Sequence, residues 1–576
     1  MNANDASDSE RLNVPFIWGI SLVAAMGGLL FGYDFVVIGG AKPFYEKFYL
    51  ITSELVSGWA VSCALVGCLI GAVVSGGLSD RFGRKKLLIL SAVLFATSSI
   101  GTGMADQFPT FILWRITGGI AIGLASNLSP MYIAEVAPAN LRGRLVAVNQ
   151  LTIVIGSLAA QIVDWQIAEK IPERSRTPAA VVAKLDHLKT LAQNLDANQA
   201  EPAAARLLAA DVNEFESKSR ELQHRLPQLD SSDKMAAAAA SHEVDSAGAE
   251  PTSADVAAQL ENLAQKAEWW EIFDSWNGKV AWRWMFGLTA VPSVMFLLLM
   301  FFVPESPRWL VKNGKPEQAQ AILGRIGGRA YARRAISEIQ VTLVNEIEKV
   351  DFRELLEPRM RRVLMIGVTL AVFQQWCGIN IFYNYPDVIF GAAGYGVSDL
   401  MFNIVVTGIV NLTSMIVALF IIDRFGRRFL MLAGSAGLAT IYFLICLCLH
   451  FHSQGLHLLS LIIAAIACFA FSLGPATWVI ISEIFPNRIR GAAVSVSVFS
   501  LWFGCFAVVC VFPILVKHLG VRGCFWIFSG VCLAGFLFIR RNLPETKGKS
   551  LEQIESELVG RSPGYSPPIP ANQPVP

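Results

Sequence analysis

Apolar residues in this chain gather into long runs, each close to the roughly 20 residues that an α-helix needs to cross a bilayer. Twelve such runs can be read: 15–38, 55–78, 86–104, 110–133, 145–165 and 281–303, then 363–390, 400–422, 429–450, 458–482, 491–515 and 522–540. Their length and apolar character predict twelve membrane-spanning helices in two sets of six. Two stretches break the rhythm. Residues 304–362 are polar, basic and helix-forming, and read as a helical linker between the sets. Residues 166–280 form a large insertion between spans five and six. Within it Leu185, Leu188, Ala192 and Leu195 recur at three- and four-residue spacing. So do Leu208, Val212, Phe215, Leu222 and Leu226, and again Val256, Leu260, Leu263, Ala267 and Trp270. These are three amphipathic helices, joined by an Ala-rich and then Ser/Gly/Glu/Pro-rich stretch from Met235 to Ser253.

Charge gives the spans a direction. Arg81, Arg84, Lys85 and Lys86 follow span two, and Arg142 and Arg144 follow span four. Arg308, Lys312, Arg333, Arg334, Arg361 and Arg362 lie between spans six and seven. Arg424, Arg427 and Arg428 follow span eight, Arg488 and Arg490 span ten, and Arg540 and Arg541 span twelve. The alternate loops are nearly free of Lys and Arg. By the positive-inside rule both terminal segments, 1–14 and 542–576, are cytoplasmic, and the insertion, at roughly −7 net charge, lies outside.

Composition agrees. Of 576 residues 54% are hydrophobic and 16% charged, too little charge to coat a water-soluble surface. A cytosolic enzyme, a nucleic-acid binder and a disordered scaffold are excluded. The 10 cysteines mostly sit in apolar runs and form neither a disulfide framework nor a metal-ligand cluster. There is no Gly-rich phosphate loop to support an ATPase. No cofactor is expected.

Short motifs occur twice. Asp80-Arg81-Phe82-Gly83-Arg84 returns as Asp423-Arg424-Phe425-Gly426-Arg427. Glu135, in a segment running to Arg142 and Gly143, returns as Glu483, in one running to Arg490 and Gly491. Pro304-Glu305-Ser306 returns as Pro544-Glu545-Thr546. The first two recur after about 345 residues and the third after about 240, the difference being the insertion. Two homologous halves related by an axis along the membrane normal are a transporter architecture, with the substrate site between them near the midplane. The repeated charges, with Arg308, are candidate gating groups that lock the halves on the cytoplasmic side. The alternative is that they only set topology.

Together these motifs resemble the sugar porter family of the major facilitator superfamily, and bacterial sugar–proton symporters in particular. Gly-Gly-Leu-Leu-Phe-Gly-Tyr-Asp (27–34), Pro-Glu-Ser-Pro-Arg-Trp-Leu (304–310), Gln-Gln-Trp-Cys-Gly-Ile-Asn (374–380) and Pro-Glu-Thr-Lys-Gly (544–548) carry the likeness. It covers both halves and the linker but not 166–280. It implies a multi-pass protein of a bacterial inner membrane, monomeric, that moves a pentose or hexose with a proton.

Polar side chains inside spans are the functional candidates. Gln150 lies in span five, Gln374, Gln375 and Asn380 in span seven, Asn411 in span eight, Trp478 in span ten and Trp502 in span eleven. Gln375 and Asn380 are five residues apart, about 140° around a regular helix, so both line one cavity only if the helix breaks, which Gly378 permits. The resemblance implies that Gln150, Gln374, Gln375, Asn380, Asn411 and Trp478 bind sugar, with Phe31 and Trp502 lining the cavity. Singly, each amide reads equally well as interhelical glue. Leu501 and Asn384 depart from the family, standing where many relatives have an amide and a tyrosine. In span one Asp34, with Arg115 in span four, forms a candidate proton-coupling pair, because a charge at membrane depth needs a partner. Some proton-coupled relatives also carry a Glu in span six, where Thr289 stands here.

Two other functions fit the same residues: a sugar or polyol uniporter, and a sugar sensor whose insertion binds an external partner.

Overall fold

The computed structural model describes residues 12–168, 269–270, 272–345, 357–451, 455–485, 490–545 and 547. Among the described residues there is no β-strand, and the elements are helices. In the first half they are α1 (Val14–Phe48), α2 (Glu54–Phe82), α3 (Arg84–Gly103), α4 (Phe108–Val136) and α5 (Ala139–Ile167). Span six follows a short π-helical turn, Asn277–Ala281, and consists of α6 (Trp282–Gly287) and α7 (Ala290–Phe302), interrupted at Leu288 and Thr289. The linker holds α8 (Pro307–Lys312) and α9 (Pro316–Asn345), the latter kinked at Gly327 and Gly328.

The second half begins with a span in three pieces: α10 (Pro358–Trp376), α11 (Ile379–Asn384) and α12 (Pro386–Ala392). Then come α13 (Val397–Phe425), α14 (Arg427–His450), α15 (Leu456–Phe471), α16 (Leu473–Glu483) and α17 (Arg490–Asn542). Eleven helical segments among the described residues are long and apolar enough to cross a membrane. The last is 53 residues long and bends at Gly520, whose φ is +67°. At 1.5 Å per residue it is more than twice the thickness of a bilayer core, so it supplies spans eleven and twelve. This gives the twelve spans read from the sequence.

Prolines set the interruptions. The ring of Pro475 excludes a helical carbonyl four residues earlier, at Phe471. There α15 ends; Ser472 leaves helical geometry (φ −125°, ψ −82°) and α16 starts. The discontinuity therefore lies just upstream of Gly474-Pro475. Pro386 disfavours helical geometry at Tyr385, where φ is −132°, and so separates α11 from α12.

Within the halves α1 packs on α5, α2 and α3 on α4, and α10 and α14 on α17. The halves meet where α2 packs on α17 and α5 on α13. Large apolar side chains such as Phe302, Phe420, Leu298 and Val291 point outward, as a lipid-facing surface requires. The three amphipathic helices expected in the insertion lie outside the described residues, apart from Trp270 at its end, which is buried beside Trp269 and Phe273.

Candidate functional site

The broken span seven is the centre of the site. Helix α10 ends at Trp376, and Gly378 takes φ +88° before α11 resumes. A Cβ there would lie 2.7 Å from the Phe528 ring, so both backbone angle and space require glycine. The reversal brings Gln375 and Asn380 to the same side. Asn380 Nδ2 donates to Gln375 Oε1 at 2.5 Å and to Cys505 Sγ at 3.4 Å. Gln375 Nε2 donates to Gln374 Oε1 at 3.3 Å, and Gln374 Nε2 donates to the carbonyls of Leu473 and Gly474 at 3.3 and 3.1 Å. The result is a relay of carboxamides joining broken span seven to broken span ten. Asn384 extends it, its Nδ2 donating to the Asn380 carbonyl at 2.8 Å.

The other residues expected to contact sugar lie on α5, α13, α16 and α17. Gln150 on α5 and Asn411 on α13 are half-buried, and neither makes a hydrogen bond among the described residues. Trp478 on α16 is likewise half-buried. Trp502 on α17 is only 2% exposed, and its indole Nε1 has no acceptor. The Phe31 ring from α1 meets it at 5.5 Å between centroids, a contact between the two halves. Of the two tryptophans expected at the site, the buried unpartnered donor belongs to Trp502.

The ionic pair lies in the first half. Arg115 Nη1 donates to Asp34 Oδ1 at 2.8 Å, with Asp34 5% and Arg115 3% exposed. Arg115 Nη2 reaches the Asp34 carbonyl at 3.4 Å, and its guanidinium lies 5.0 Å from the Phe286 ring centroid. The pairing is one-sided: Asp34 Oδ2 is buried without a partner. A second charged crossing escaped the sequence. Buried Lys42, near the far end of α1, bonds Glu46 at 3.1 Å and Asp387 of α12 at 2.7 Å. It ties the halves together at the base-poor end, where the α1 backbone at Gly39 also presses against the Tyr383 carbonyl.

At the basic end the repeated motifs make two matching clusters. Arg84 bonds Asp80 at 3.1 Å and Glu135 at 3.0 Å. Glu305 Oε1 accepts from the main-chain N–H of Arg84 and Lys85, capping α3. In the second half Arg427 bonds Glu483 at 3.4 Å, and Glu545 accepts from the N–H of Arg427 and Arg428, capping α14. Each of these bonds closes within one half or between a half and the segment that follows it. Arg142 is exposed and Arg308 half-buried, while the Asp423 and Arg490 side chains lie outside the described residues.

One buried carboxylate was overlooked. Asp164, near the end of α5, is 0% exposed. The reading of span five ended beside it, at residue 165, and did not single it out, although an acidic residue in an apolar run is itself a signal.

Comparison with known proteins places this geometry. The family model described as "Sugar (and other) transporter" matches residues 20–182 and 269–558. The chain belongs to this family. It is therefore a multi-pass membrane transporter, not an enzyme, and the model passes over 183–268 inside the insertion. It is 31% identical to the D-xylose-proton symporter of Escherichia coli (strain K12), over 95% of this chain and 96% of that one. It is 32% identical to the arabinose-proton symporter of Bacillus subtilis (strain 168), over 94% and 95%. A solved structure of the E. coli xylose transporter XylE, partially occluded and inward open, superposes with a TM-score of 0.68 at 29% identity, covering 93% of this chain and all of that one. The fold is that of the major facilitator superfamily.

Proposed function

We propose that this transporter carries a pentose or hexose across a bacterial cell membrane in symport with a proton, by alternating access between its halves. The observation that carries the coupling is the one-sided Asp34–Arg115 pair. Ionised, Asp34 is held by the guanidinium. Its free oxygen is where a proton adds, and protonation releases Arg115 from the pair. Sugar binding falls to the carboxamide relay, with Gln150 and Asn411 offering uncommitted donors and acceptors and Trp502 and Trp478 offering apolar faces for the ring. The named relatives carry xylose and arabinose in their names, which supports a monosaccharide as the class. Leu501 and Asn384 differ from many relatives and bear on which sugar fits. The basic end is the cytoplasmic one, by the positive-inside rule. The repeated clusters then brace each half internally, and as gating groups they act through the helix ends that they cap.

The test is uptake into liposomes of labelled pentoses and hexoses, with and without an inward proton gradient. Gradient-dependent accumulation that disappears in Asp34→Asn, with sugar exchange still measurable, supports symport. Equilibration indifferent to the gradient and to the substitution would make the protein a uniporter. No flux of any sugar would favour a sensor.

A further inference from the structure

Asp164 takes no part in the pairings described so far, and its surroundings are unusual for a carboxyl group. It is fully buried, and among the described residues neither oxygen has a hydrogen-bond or ionic partner. The α1 backbone lies directly against it: a Cβ at Gly40 would stand 2.2 Å from Asp164 Oδ2. Helices packed on α5 include α1, α4, α6 and α13. Their cations are committed elsewhere. On α1, Lys42 is held by Glu46 and Asp387, and Lys47 donates to the Pro43 carbonyl at 2.8 Å. On α4, Arg115 is held by Asp34. On α6, Arg283 bonds Asp106 and the carbonyls of Gly103 and Ala105. On α13 the charged residues lie at the helix ends, Asp399 at one and Asp423 with Arg424 at the other. A carboxylate enclosed from solvent with no donor or cation beside it is too costly to bury, so the group resides here as the neutral acid.

Tyr33 of α1 stands near both this acid and the coupling pair. It lies beside Thr289 and within electrostatic reach of both Asp164 and Asp34. The hydroxyls of Tyr33 and Thr289 are buried and unpartnered. The cover over Asp164 is also shared with the seam between the halves. Gly40 faces Asp164 while its neighbour Gly39 faces the Tyr383 carbonyl of α11, and Trp165 meets Phe402 of α13 at 6.0 Å.

We propose that Asp164 is a second proton-binding site of the transport cycle, protonated while the base-poor seam between α1, α11 and α13 is closed and deprotonated when that seam opens to water. Opening hydrates the carboxyl, its O–H bond breaks, the electron pair stays on the carboxylate and the proton passes to water. Closing reverses the step. The place of this exchange in sugar transport rests on the coupled-symport reading, but the protonation itself does not.

The first test is infrared difference spectroscopy of the purified full-length protein during a pH titration. Wild type and Asp34→Asn should share a carbonyl band of a buried carboxylic acid that Asp164→Asn lacks. Identical bands in all three would overturn the proposal. If Asp164→Asn does not fold, wild type is treated with dicyclohexylcarbodiimide, which adds to protonated carboxyls in apolar surroundings, and its peptides are weighed. Modification at Asp164 that declines as pH rises is expected; its absence at every pH overturns the proposal. In proteoliposomes Asp164→Asn should move the half-maximal pH of sugar uptake by about one unit, a tenfold change in proton concentration. An unmoved profile overturns a role in the cycle. Failure of wild type to accumulate sugar with the gradient sinks symport alone, because the infrared and labelling results stand without it.

Discussion

Asn380 makes two side-chain bonds, to Gln375 and to Cys505, and presents its carbonyl to Asn384. Removing its side chain leaves Gln375 Oε1 without that donor inside a largely buried site. Asn380→Ala should therefore weaken sugar affinity by about 1–3 kcal/mol, roughly five- to a hundredfold, measured as a rise in Kd by equilibrium binding. Trp502→Phe tests the neighbouring surface. It keeps an aromatic face toward Phe31 but removes an indole N–H that has no protein acceptor. If that donor serves a sugar hydroxyl, affinity falls by about 1 kcal/mol; if not, Kd is unchanged.

At the scale of elements, function is concentrated where helices stop. Gly378 permits the turn that the carboxamide relay depends on, and Gly378→Ala imposes both an unfavourable φ and a clash with Phe528. The expected result is loss of sugar binding with a lowered Tm, measured on the detergent-solubilised protein. This break was legible in the sequence, since two amides five residues apart share a cavity only across a broken helix. The break in span ten follows from the clash of Pro475 with a carbonyl four residues back. The far end of α1 was not legible. Gly39-Gly40-Ala41-Lys42-Pro43 reads as the close of an apolar span at residue 38, yet the helix continues to Phe48. Two facts make this possible, and neither is local. The glycines accept close neighbours from α5 and α11, and Lys42 is neutralised by Asp387, 345 residues away. Asp164 was hidden for a related reason, because only the packing of α1 against α5 shows it to be enclosed. Breaking a buried ion pair by removing one partner costs about 3–5 kcal/mol. Lys42→Met should therefore favour opening at the base-poor end. Spin labels at Thr52 and Gly391, both exposed, should then move apart in electron double-resonance distance measurements.

Across the whole molecule the two halves share a plan at one end and differ at the other. The glutamates that cap α3 and α14 stand in equivalent places, each brought back by a chain segment that leaves its half. The sequence repeat carried that symmetry openly. The base-poor end shows no such repeat: its ion pairs between halves join Lys42 to Asp387 and Lys517 to Glu54, residues outside any doubled motif. The two ends of the carrier are thus held by different kinds of contact, and substitutions at one should leave the other intact.

The Asp34–Arg115 pair also has an electrical meaning. Its two charges cancel, so the empty carrier can turn around without moving net charge at this point of the membrane. On the proposed coupling, once Asp34 takes a proton the guanidinium is uncompensated and the sugar-loaded carrier is a cation. A negative interior then draws the loaded form inward and does not hold back the empty one. One charge crossing 100 mV contributes about 2.3 kcal/mol, roughly fiftyfold in accumulation. A potassium diffusion potential imposed with no pH difference should therefore concentrate sugar in wild-type vesicles. In Asp34→Asn the same potential should slow turnover, because Arg115 then carries its charge in both directions.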